Sequence, residues 1–223
     1  MTGFFVTGAG TDIGKTWVSA SLLRFWRYAG LHPAAIKPVA SGYDPRALQD
    51  TDAAALLTAL GRTVDAAAAE AMTPFRLRAP LSPDQAAARE GVRLSVEAIA
   101  AACAPLITAA RGPVLIEGAG GVMTPLNEAE TMLDLAVALG KPCLFVCGSY
   151  LGAISHALSG LAVLKAAGAT TPLLLVNETP GSSVDLTETV ATLAAHAGDT
   201  AVRAIARGDD GVWAEASRVL GVS

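Results

Sequence analysis

The sequence predicts a three-layer α/β fold, in which a mostly parallel central sheet is covered by helices on both faces. Short apolar runs alternate along the chain with longer segments of helical periodicity. The runs are apolar at consecutive positions, which is typical of strands buried on both sides of a parallel sheet. Hydrophobic residues make up 52% of the 223 residues, so a large core is possible. Because no linker and no repeat divides the chain, we expect residues 1–223 to form a single domain.

The elements follow in the order strand, helix, strand. Residues 3–7 (GFFVT) form an apolar run rich in β-formers, and the next helix begins at Gly14 and ends at Gly30. A helix is predicted over 50–60. Acidic residues stand at its start, where negative charge stabilises the first turn of a helix. Segment 63–91 is Ala-rich and carries three prolines, which indicates loops and short helices.

The later elements repeat the same alternation, with Gly or Pro close to most boundaries. The predicted strands are 3–7, 33–39, 113–117, 142–147, 172–177 and the weaker 201–205. The predicted helices after residue 91 are 95–111, 131–139, 152–167, 184–197 and 212–220.

Charge and cysteine content exclude several classes of function. The net charge is −4 and no Lys/Arg stripe is present, so we expect no nucleic-acid partner. The apolar runs are shorter than the ~20 residues of a membrane helix, and the N-terminus does not resemble a signal peptide. We therefore expect a soluble, cytoplasmic protein. Buried, reduced thiols are favoured over metal ligation for the three cysteines, which are Cys103, Cys143 and Cys147.

The first motif follows the first strand and reads GAGTDIGKT over residues 8–16. It is one residue longer than the phosphate-loop pattern G-x-x-x-x-G-K-[ST]. In such a loop the backbone N–H groups approach phosphate oxygens, Lys15 reaches the β- and γ-phosphates, and the Thr16 hydroxyl binds Mg²⁺. The alternative is a structural strand-to-helix turn. The position between a strand and a helix favours phosphate binding.

A lysine ends the second predicted strand in the segment KPVASG, residues 37–42. A buried ammonium needs a partner, so Lys37 is a candidate for neutralising charge on a transferring phosphoryl group. Ser41 is a candidate donor to a substrate anion, or a turn residue. Asp50 and Asp52, farther along, are both possible Mg²⁺ ligands, and their spacing does not choose between them.

Two further strand ends carry polar residues. Glu117 ends the apolar run VLIE and is followed by a glycine-rich turn, which suits a metal ligand beside an open backbone. Asn177 ends PLLLVN, and its amide has the donor and the acceptor that a purine edge requires. Because the carboxyl ends of parallel strands meet at one edge of a sheet, we expect these residues to converge.

The ordered motifs GAGTDIGKT, KPVASG, TDAAAL, EGAGG, the segment GSYLGAISH and VNE together resemble the dethiobiotin synthetase family. The resemblance runs from residue 3 to about 178. It implies a phosphate-loop NTPase-like fold, ATP as substrate and Mg²⁺ as cofactor. The implied reaction joins 7,8-diaminononanoate and CO₂ through a carbamate and a carbamic–phosphoric anhydride. It also implies a homodimer with the substrate site at its interface.

The same resemblance implies a role for each matching residue. Lys15 and Lys37 stabilise the transferring phosphoryl group, with Thr11 as a further catalytic residue, and Asp52 is preferred to Asp50 as the acid of TDAAAL. The implied Mg²⁺ ligands are Thr16, Asp52 and Glu117. The implied substrate contacts are Thr11, Ser41, Leu151, Gly152 and Ser155. The implied nucleotide contacts are Asp12, Ile13, Gly14, Lys15, Thr16, Trp17, Asp52, Glu117, Gly118, Ala119, Gly120, Asn177 and Glu178.

Some positions depart from the family pattern. The segment RAIARGDDG replaces a Pro–Leu-like turn after the last strand, which leaves the base contacts near residues 205–207 open. Ser155 stands where Asn is frequent. The nearest alternative is an ATPase of the partitioning or septum-placement type, which shares an altered phosphate loop. That class places a second lysine early in the loop, and GAGTDI has none.

Overall fold

The computed structural model describes residues 2–222, and Met1 and Ser223 lie outside the described residues. Its centre is a parallel sheet of the strands β1 (Gly3–Gly8), β2 (Ala34–Ile36), β5 (Val114–Glu117), β6 (Cys143–Gly148), β7 (Leu173–Asn177) and β8 (Ala201–Ile205). Their order across the sheet is β2-β5-β1-β6-β7-β8, and every pair of neighbours is parallel. A second, two-stranded sheet pairs β3 (Val39–Ala40) with β4 (Phe75–Arg76).

Helices connect the strands and cover the sheet. They are α1 (Lys15–Tyr28), α2 (Asp52–Ala59), α3 (Ala66–Met72), α4 (Pro83–Glu90), α5 (Val96–Ala109), α6 (Met132–Leu139), α7 (Ala153–Ala166), α8 (Leu186–His196) and α9 (Val212–Val219). A 3₁₀ helix, Pro45–Asp50, precedes α2. Among residues 2–222, no helix has both the length and the apolarity needed to traverse a bilayer.

Alternate residues of each strand face two separate cores. Phe4 and Val6 of β1 pack with α1, α2, α3 and α9 on one side of the sheet. Phe5 of the same strand packs with α5, α6, α7 and α8 on the other side. This arrangement confirms the predicted three-layer α/β fold and explains why the strands are apolar at consecutive positions.

All three cysteines belong to the core on the α5–α8 side and are free thiols. Burial raises the pKa of Cys103 to about 11 and that of Cys143 and Cys147 to about 12. The thiols are therefore protonated at neutral pH and inert, as the sequence predicted.

The strand predicted over 33–39 is wrong in its second half. Only Ala34–Ile36 joins the large sheet, and after Pro38 the chain turns away to pair β3 with β4. The backbone N–H of Lys37 donates to the Met72 carbonyl at 3.1 Å, outside the main ladder. Proline has no N–H to donate, which explains the break at this point. The ambiguous segment 63–91 contains α3, β4 and α4, which agrees with the prediction of loops and short helices.

The buried indole of Trp26 provides a test of how α9 is held against α1. Its Nε1 donates to the Ser217 hydroxyl at 2.9 Å, and that hydroxyl donates to the Val222 carbonyl at 2.6 Å. We expect Ser217→Ala to lower the free energy of unfolding by about 1–3 kcal/mol, because a buried N–H loses its partner. The matched control is Ser159→Ala on the exposed face of α7, which should change it by less than about 0.5 kcal/mol in urea unfolding. Equal effects of the two substitutions would contradict this role for Ser217.

Candidate active site

A cavity of about 420 Å³ opens at the carboxyl ends of the central strands. It lies between the loop after β1, the segment after β2, the start of α2 and the loop after β5. Its walls include ten of the residues that the sequence proposed for the site. The lining residues are Thr11, Asp12, Gly14, Lys15, Thr16, Lys37, Val39, Ala40, Ser41, Asp52, Ala119 and Gly120. The ends of β1, β2 and β5 therefore converge on one cavity, whereas the residues after β6 and β7 are not part of its lining.

The loop between β1 and α1 has the backbone geometry of a phosphate cradle. Gly14 has φ of +89° and caps α1, and Asp12 is the one non-glycine residue with positive φ within residues 2–222. The side-chain amide of Asn177 donates to the Ile13 carbonyl at 3.1 Å and holds the loop from the end of β7. The Lys15 ammonium folds back onto the Gly10 carbonyl at 2.6 Å. Lys15 therefore lies inside the loop, where phosphate oxygens would reach it.

Four side chains form a bonded cluster behind this loop. The Lys37 ammonium lies 2.8 Å from Glu117 Oε1 and 2.8 Å from Asp52 Oδ2. The Thr16 hydroxyl lies 2.8 Å from Asp52 Oδ1 and 2.7 Å from Glu117 Oε1. The side chains of Lys37 and Glu117 are 5% and 1% exposed, whereas that of Asp52 is 44% exposed and opens toward solvent.

Strand register and helix capping bring this cluster together. Ile36 of β2 lies opposite Ile116 of β5, so the next residues, Lys37 and Glu117, emerge side by side. Asp52 is the first residue of α2, whose start is fixed because the Thr51 hydroxyl accepts from the Ala54 N–H at 3.2 Å. Asp50 ends the preceding 3₁₀ helix and is exposed. The structure thus brings Asp52 into the cluster and leaves Asp50 outside.

Burial and charge act differently on the two lysines. Desolvation and repulsion from Lys37 lower the pKa of Lys15 to about 8, against weaker support from Glu117 and Asp52. Burial also disfavours the charge of Lys37, but the Glu117 and Asp52 carboxylates outweigh it and raise the pKa of Lys37. Desolvation alone would raise the pKa of Asp52, and attraction by Lys37 lowers it instead. Lys37 therefore stays protonated at neutral pH, whereas Lys15 loses its proton as the pH rises through its pKa of about 8.

The oxygens of Thr16, Asp52 and Glu117 fit a magnesium ion. Mg²⁺ prefers oxygen ligands, takes one or two carboxylates from the protein and fills its other positions with water and phosphate oxygens. Within the described residues, Glu117 Oε2 is buried without a hydrogen-bond partner, as expected of a donor atom reserved for a cation.

The other proposed nucleotide residues do not line the cavity. Gly118 follows Glu117, and its carbonyl lies 3.3 Å from the Lys37 ammonium. Trp17 is 40% exposed and meets the buried Trp213 ring edge-on, with centroids 5.4 Å apart. The Glu178 carboxylate accepts from the Arg207 N–H at 2.7 Å and fixes the loop after β8.

The residues proposed to bind the tail of the substrate lie apart from the cavity. Leu151, Gly152 and Ser155 follow β6 and open α7, and none of them lines the cavity wall. Leu151 is 92% exposed. The sequence reasoning also missed Val39 and Ala40, which form part of the wall. Both residues lie between Lys37 and Ser41 in the segment KPVASG, and this position could have predicted that they line the same cavity.

A larger cavity, of about 810 Å³, lies at the opposite edge of the sheet, where the strands begin. Its lining is mostly apolar and includes Phe4, Leu161 and Pro172, whereas its charged residues Lys165 and Asp199 are exposed. It contains no cluster comparable to that around Lys37 in the part of the chain described. We therefore assign the chemistry to the smaller cavity.

The fold and the loop before α1 define the class as phosphate-loop nucleotide-binding proteins. Two solved structures share the fold. The MinD cell division protein from Aquifex aeolicus matches with a TM-score of 0.51 and 13% identity, over 87% of this chain and 78% of that one. A ParA family ATPase from Chlorobium tepidum TLS matches with a TM-score of 0.51 and 11% identity, over 98% of this chain and 88% of that one.

Sequence comparison identifies the family. A family model described as an AAA domain matches residues 2–207. The ATP-dependent dethiobiotin synthetase BioD of Acidiphilium cryptum (strain JF-5) is 41% identical, over 90% of each chain. That of Caulobacter vibrioides (strain NA1000 / CB15N) is 47% identical, over 87% of this chain and 88% of that one. The chain belongs to the dethiobiotin synthetase family of carbon–nitrogen ligases.

Gly14 offers a test of the loop geometry. A Cβ at this position would overlap the Asn177 amide nitrogen, and φ is positive. Gly14→Ala should therefore lower the affinity for ADP at least about tenfold and destabilise the fold by about 1–2 kcal/mol. Gly168→Ala is the matched control, because its φ is +76° and nothing lies within 4 Å of the added Cβ. It should lose similar stability with unchanged ADP affinity in calorimetric titrations. Equal ADP affinities of the two variants would exclude the contact with Asn177.

The lowered pKa of Lys15 predicts proton uptake on nucleotide binding. Well below pH 8 Lys15 is already charged, so ADP binding takes up almost no proton there. Above this pKa the free protein holds a neutral Lys15, which phosphate oxygens recharge, so the affinity falls as the pH rises and up to one proton is taken up. Calorimetry one pH unit above the pKa, in two buffers of different ionisation enthalpy, measures this uptake. Unchanged uptake in Lys15→Met would assign the proton to another group.

Proposed function

We propose that this chain joins 7,8-diaminononanoate and CO₂ into the cyclic urea of dethiobiotin, using ATP, as a step of biotin synthesis. The names of its relatives, ATP-dependent dethiobiotin synthetases, support the reaction. The observation that carries the proposal is the wall of a single cavity. It holds Lys15, Lys37, Thr16 and Asp52, with Glu117 behind them, together with the hydroxyls of Thr11 and Ser41.

The chemistry requires positioning more than a protein nucleophile. One amine of the substrate adds to CO₂ and loses a proton, which gives a carbamate. A carbamate oxygen attacks the γ-phosphorus of ATP, ADP leaves, and a carbamic–phosphoric anhydride remains. The second amine then attacks the carbonyl carbon and expels phosphate, which closes the ring. The substrate supplies both nucleophiles, and accordingly neither Cys nor His is among the residues that line the cavity.

In this proposal the two lysines neutralise the charge that moves with the phosphoryl group. Lys15 lies within the loop that cradles the β- and γ-phosphates, and Lys37 approaches from the end of β2. Charged donors in a partly buried site stabilise spread negative charge more strongly than they would in water. The hydroxyls of Thr11 and Ser41 hold the diamine or its carbamate against these charges.

Thr16, Asp52 and Glu117 would hold Mg²⁺, which supplies charge neutralisation at the β- and γ-phosphates when it is bound. Residues 12–17 and 117–120 would border the nucleotide. Asn177 and Glu178, at the end of β7, would lie beside the base. The amide N–H of Asn177 that reaches Ile13 leaves its carbonyl oxygen and second N–H for an adenine edge.

The proposal includes a cytoplasmic homodimer built from single-domain chains. The sheet supports one domain, because β8 from the C-terminal part pairs with β7, which joins β6 and then β1. The position of Leu151 supports the dimer. This apolar side chain is almost fully exposed beside the N-terminus of α7, and its neighbours Gly152 and Ser155 do not reach the cavity of their own chain. These residues would complete the substrate site of a second copy.

The test is phosphate release from ATP in the presence of Mg²⁺ and bicarbonate, with and without 7,8-diaminononanoate. Release should require the diamine, and dethiobiotin should appear in equal amount by mass spectrometry. Lys15→Ala should lose at least about 100-fold in turnover, since one charge on the phosphoryl group is missing. Lys165→Ala, an exposed lysine on α7, is the matched control and should keep full turnover. Phosphate release that ignores the diamine would instead favour the partitioning-type ATPase.

A further inference from the structure

Each of the three N–H donors of the Lys37 ammonium has a partner within the protein. These donors face Glu117 Oε1 at 2.8 Å, Asp52 Oδ2 at 2.8 Å and the Gly118 carbonyl at 3.3 Å. These partners hold the Lys37 ammonium against the carboxylates, whereas the Lys15 ammonium donates to the Gly10 carbonyl. In this arrangement Lys37 has no free donor for a phosphoryl group.

The same carboxylates are the oxygens that a magnesium ion would use. Asp52 Oδ1 and Glu117 Oε1 also receive the single hydroxyl hydrogen of Thr16. The remaining oxygen, Glu117 Oε2, is buried and lacks a partner in the part of the chain described. Of the four carboxylate oxygens of Asp52 and Glu117, all but Glu117 Oε2 are thus already bonded to Lys37 or Thr16.

We propose that the Lys37 ammonium takes the place of the metal ion in the metal-free protein, where it binds the carboxylates of Asp52 and Glu117. When magnesium and nucleotide bind together, the ammonium moves from these carboxylates to the phosphoryl group. The inference rests on the proposed function, because it takes these residues as the metal ligands. Lys37 is then a carboxylate-bound cation in one state and a phosphate-bound cation in the other.

Charge balance explains why metal and nucleotide must arrive together. The carboxylates of Asp52 and Glu117 are balanced by the ammonium groups of Lys37 and the neighbouring Lys15. A divalent ion alone would meet the buried Lys37 charge at the same oxygens, and a triphosphate alone would face two carboxylates. With both present, the ion takes the carboxylates and the phosphates take Lys37, whose flexible four-carbon stem allows the move. Because such coupling is reciprocal, each ligand tightens the other.

The first experiment measures Mg²⁺ binding to metal-free protein without nucleotide, by calorimetry and thermal unfolding. The wild type should bind Mg²⁺ weakly. Lys37→Met should bind it at least about tenfold more tightly, since a repelling charge is gone, and Mg²⁺ should raise its Tm. Lys165→Met, the matched control on the surface of α7, should behave like the wild type. Equal Mg²⁺ affinities of Lys37→Met and the wild type would overturn the proposal.

The second experiment uses the wild-type protein and does not depend on how Lys37→Met folds. The chain has four lysines, Lys15, Lys37, Lys141 and Lys165, so the ¹⁵N signals of their ammonium groups can be assigned by replacing the other three with Arg. Mg²⁺ alone should leave the Lys37 signal unchanged, and Mg²⁺ with a non-hydrolysable ATP analogue should shift it. A shift with Mg²⁺ alone would overturn the proposal, as would an unchanged signal once calorimetry confirms that the analogue is bound.

Neither experiment contains the diamine or measures turnover. If the protein makes no dethiobiotin but its Lys37 signal shifts when magnesium and the analogue bind together, the proposed function is refuted and this inference stands. If the protein makes dethiobiotin but its Lys37 signal does not change with the analogue bound, this inference is refuted and the proposed function stands.

Discussion

The buried ion pair between Lys37 and Glu117 is the constraint on which the site depends. Neither charge is stable alone in a protein interior, so each requires the other at close range. The parallel pairing of β2 with β5 provides this, because Ile36 and Ile116 are in register and the two charges follow at once. Any other neighbour for β2 would leave one charge buried without its partner. The Asp52 carboxylate, at the start of α2, also pairs with the Lys37 ammonium, and this ion pair links the start of α2 to the sheet.

The phosphate loop is held by the same convergence of strand ends. Val6 of β1 lies opposite Glu117, and the Gly118 and Val122 amides donate to the Val6 and Gly8 carbonyls. Gly121 packs so closely on Gly10 that a side chain there would press on the loop. The glycine-rich segment after β5 therefore supports the loop after β1 mechanically, in addition to the chemical role proposed for its first residues.

The fold was largely readable from the sequence because it depends on local patterns. Apolar runs predicted all six strands of the main sheet. The polar residues at the ends of these runs, including Lys37 and Glu117, predicted where the site lies. Local patterns could not reveal that the chain after Pro38 pairs with Phe75, because that partner lies in the Ala-rich segment that gave no clear pattern. They also could not distinguish Asp50 from Asp52, since the choice depends on where the Thr51 cap starts α2. The bond from Asn177 to Ile13 joins residues far apart in sequence and had no local signal.

The departure of the chain from the main sheet after Pro38 gives the cavity one of its walls. Had β2 continued through residue 39, Val39, Ala40 and Ser41 would lie within or above the ladder instead of beside Lys37. The pairing of β3 with β4 carries them sideways, so that they line the cavity next to the phosphate loop. MinD and the ParA family ATPase are similar to this chain at 11–13% identity, which is a likeness of fold alone. A phosphate loop and a metal site suffice to split ATP, whereas a ligase needs a second surface that holds the acceptor. In the proposed function the segment between β2 and α2 would provide this surface, so the proposed difference between hydrolysis and ring closure lies there and not in the loop.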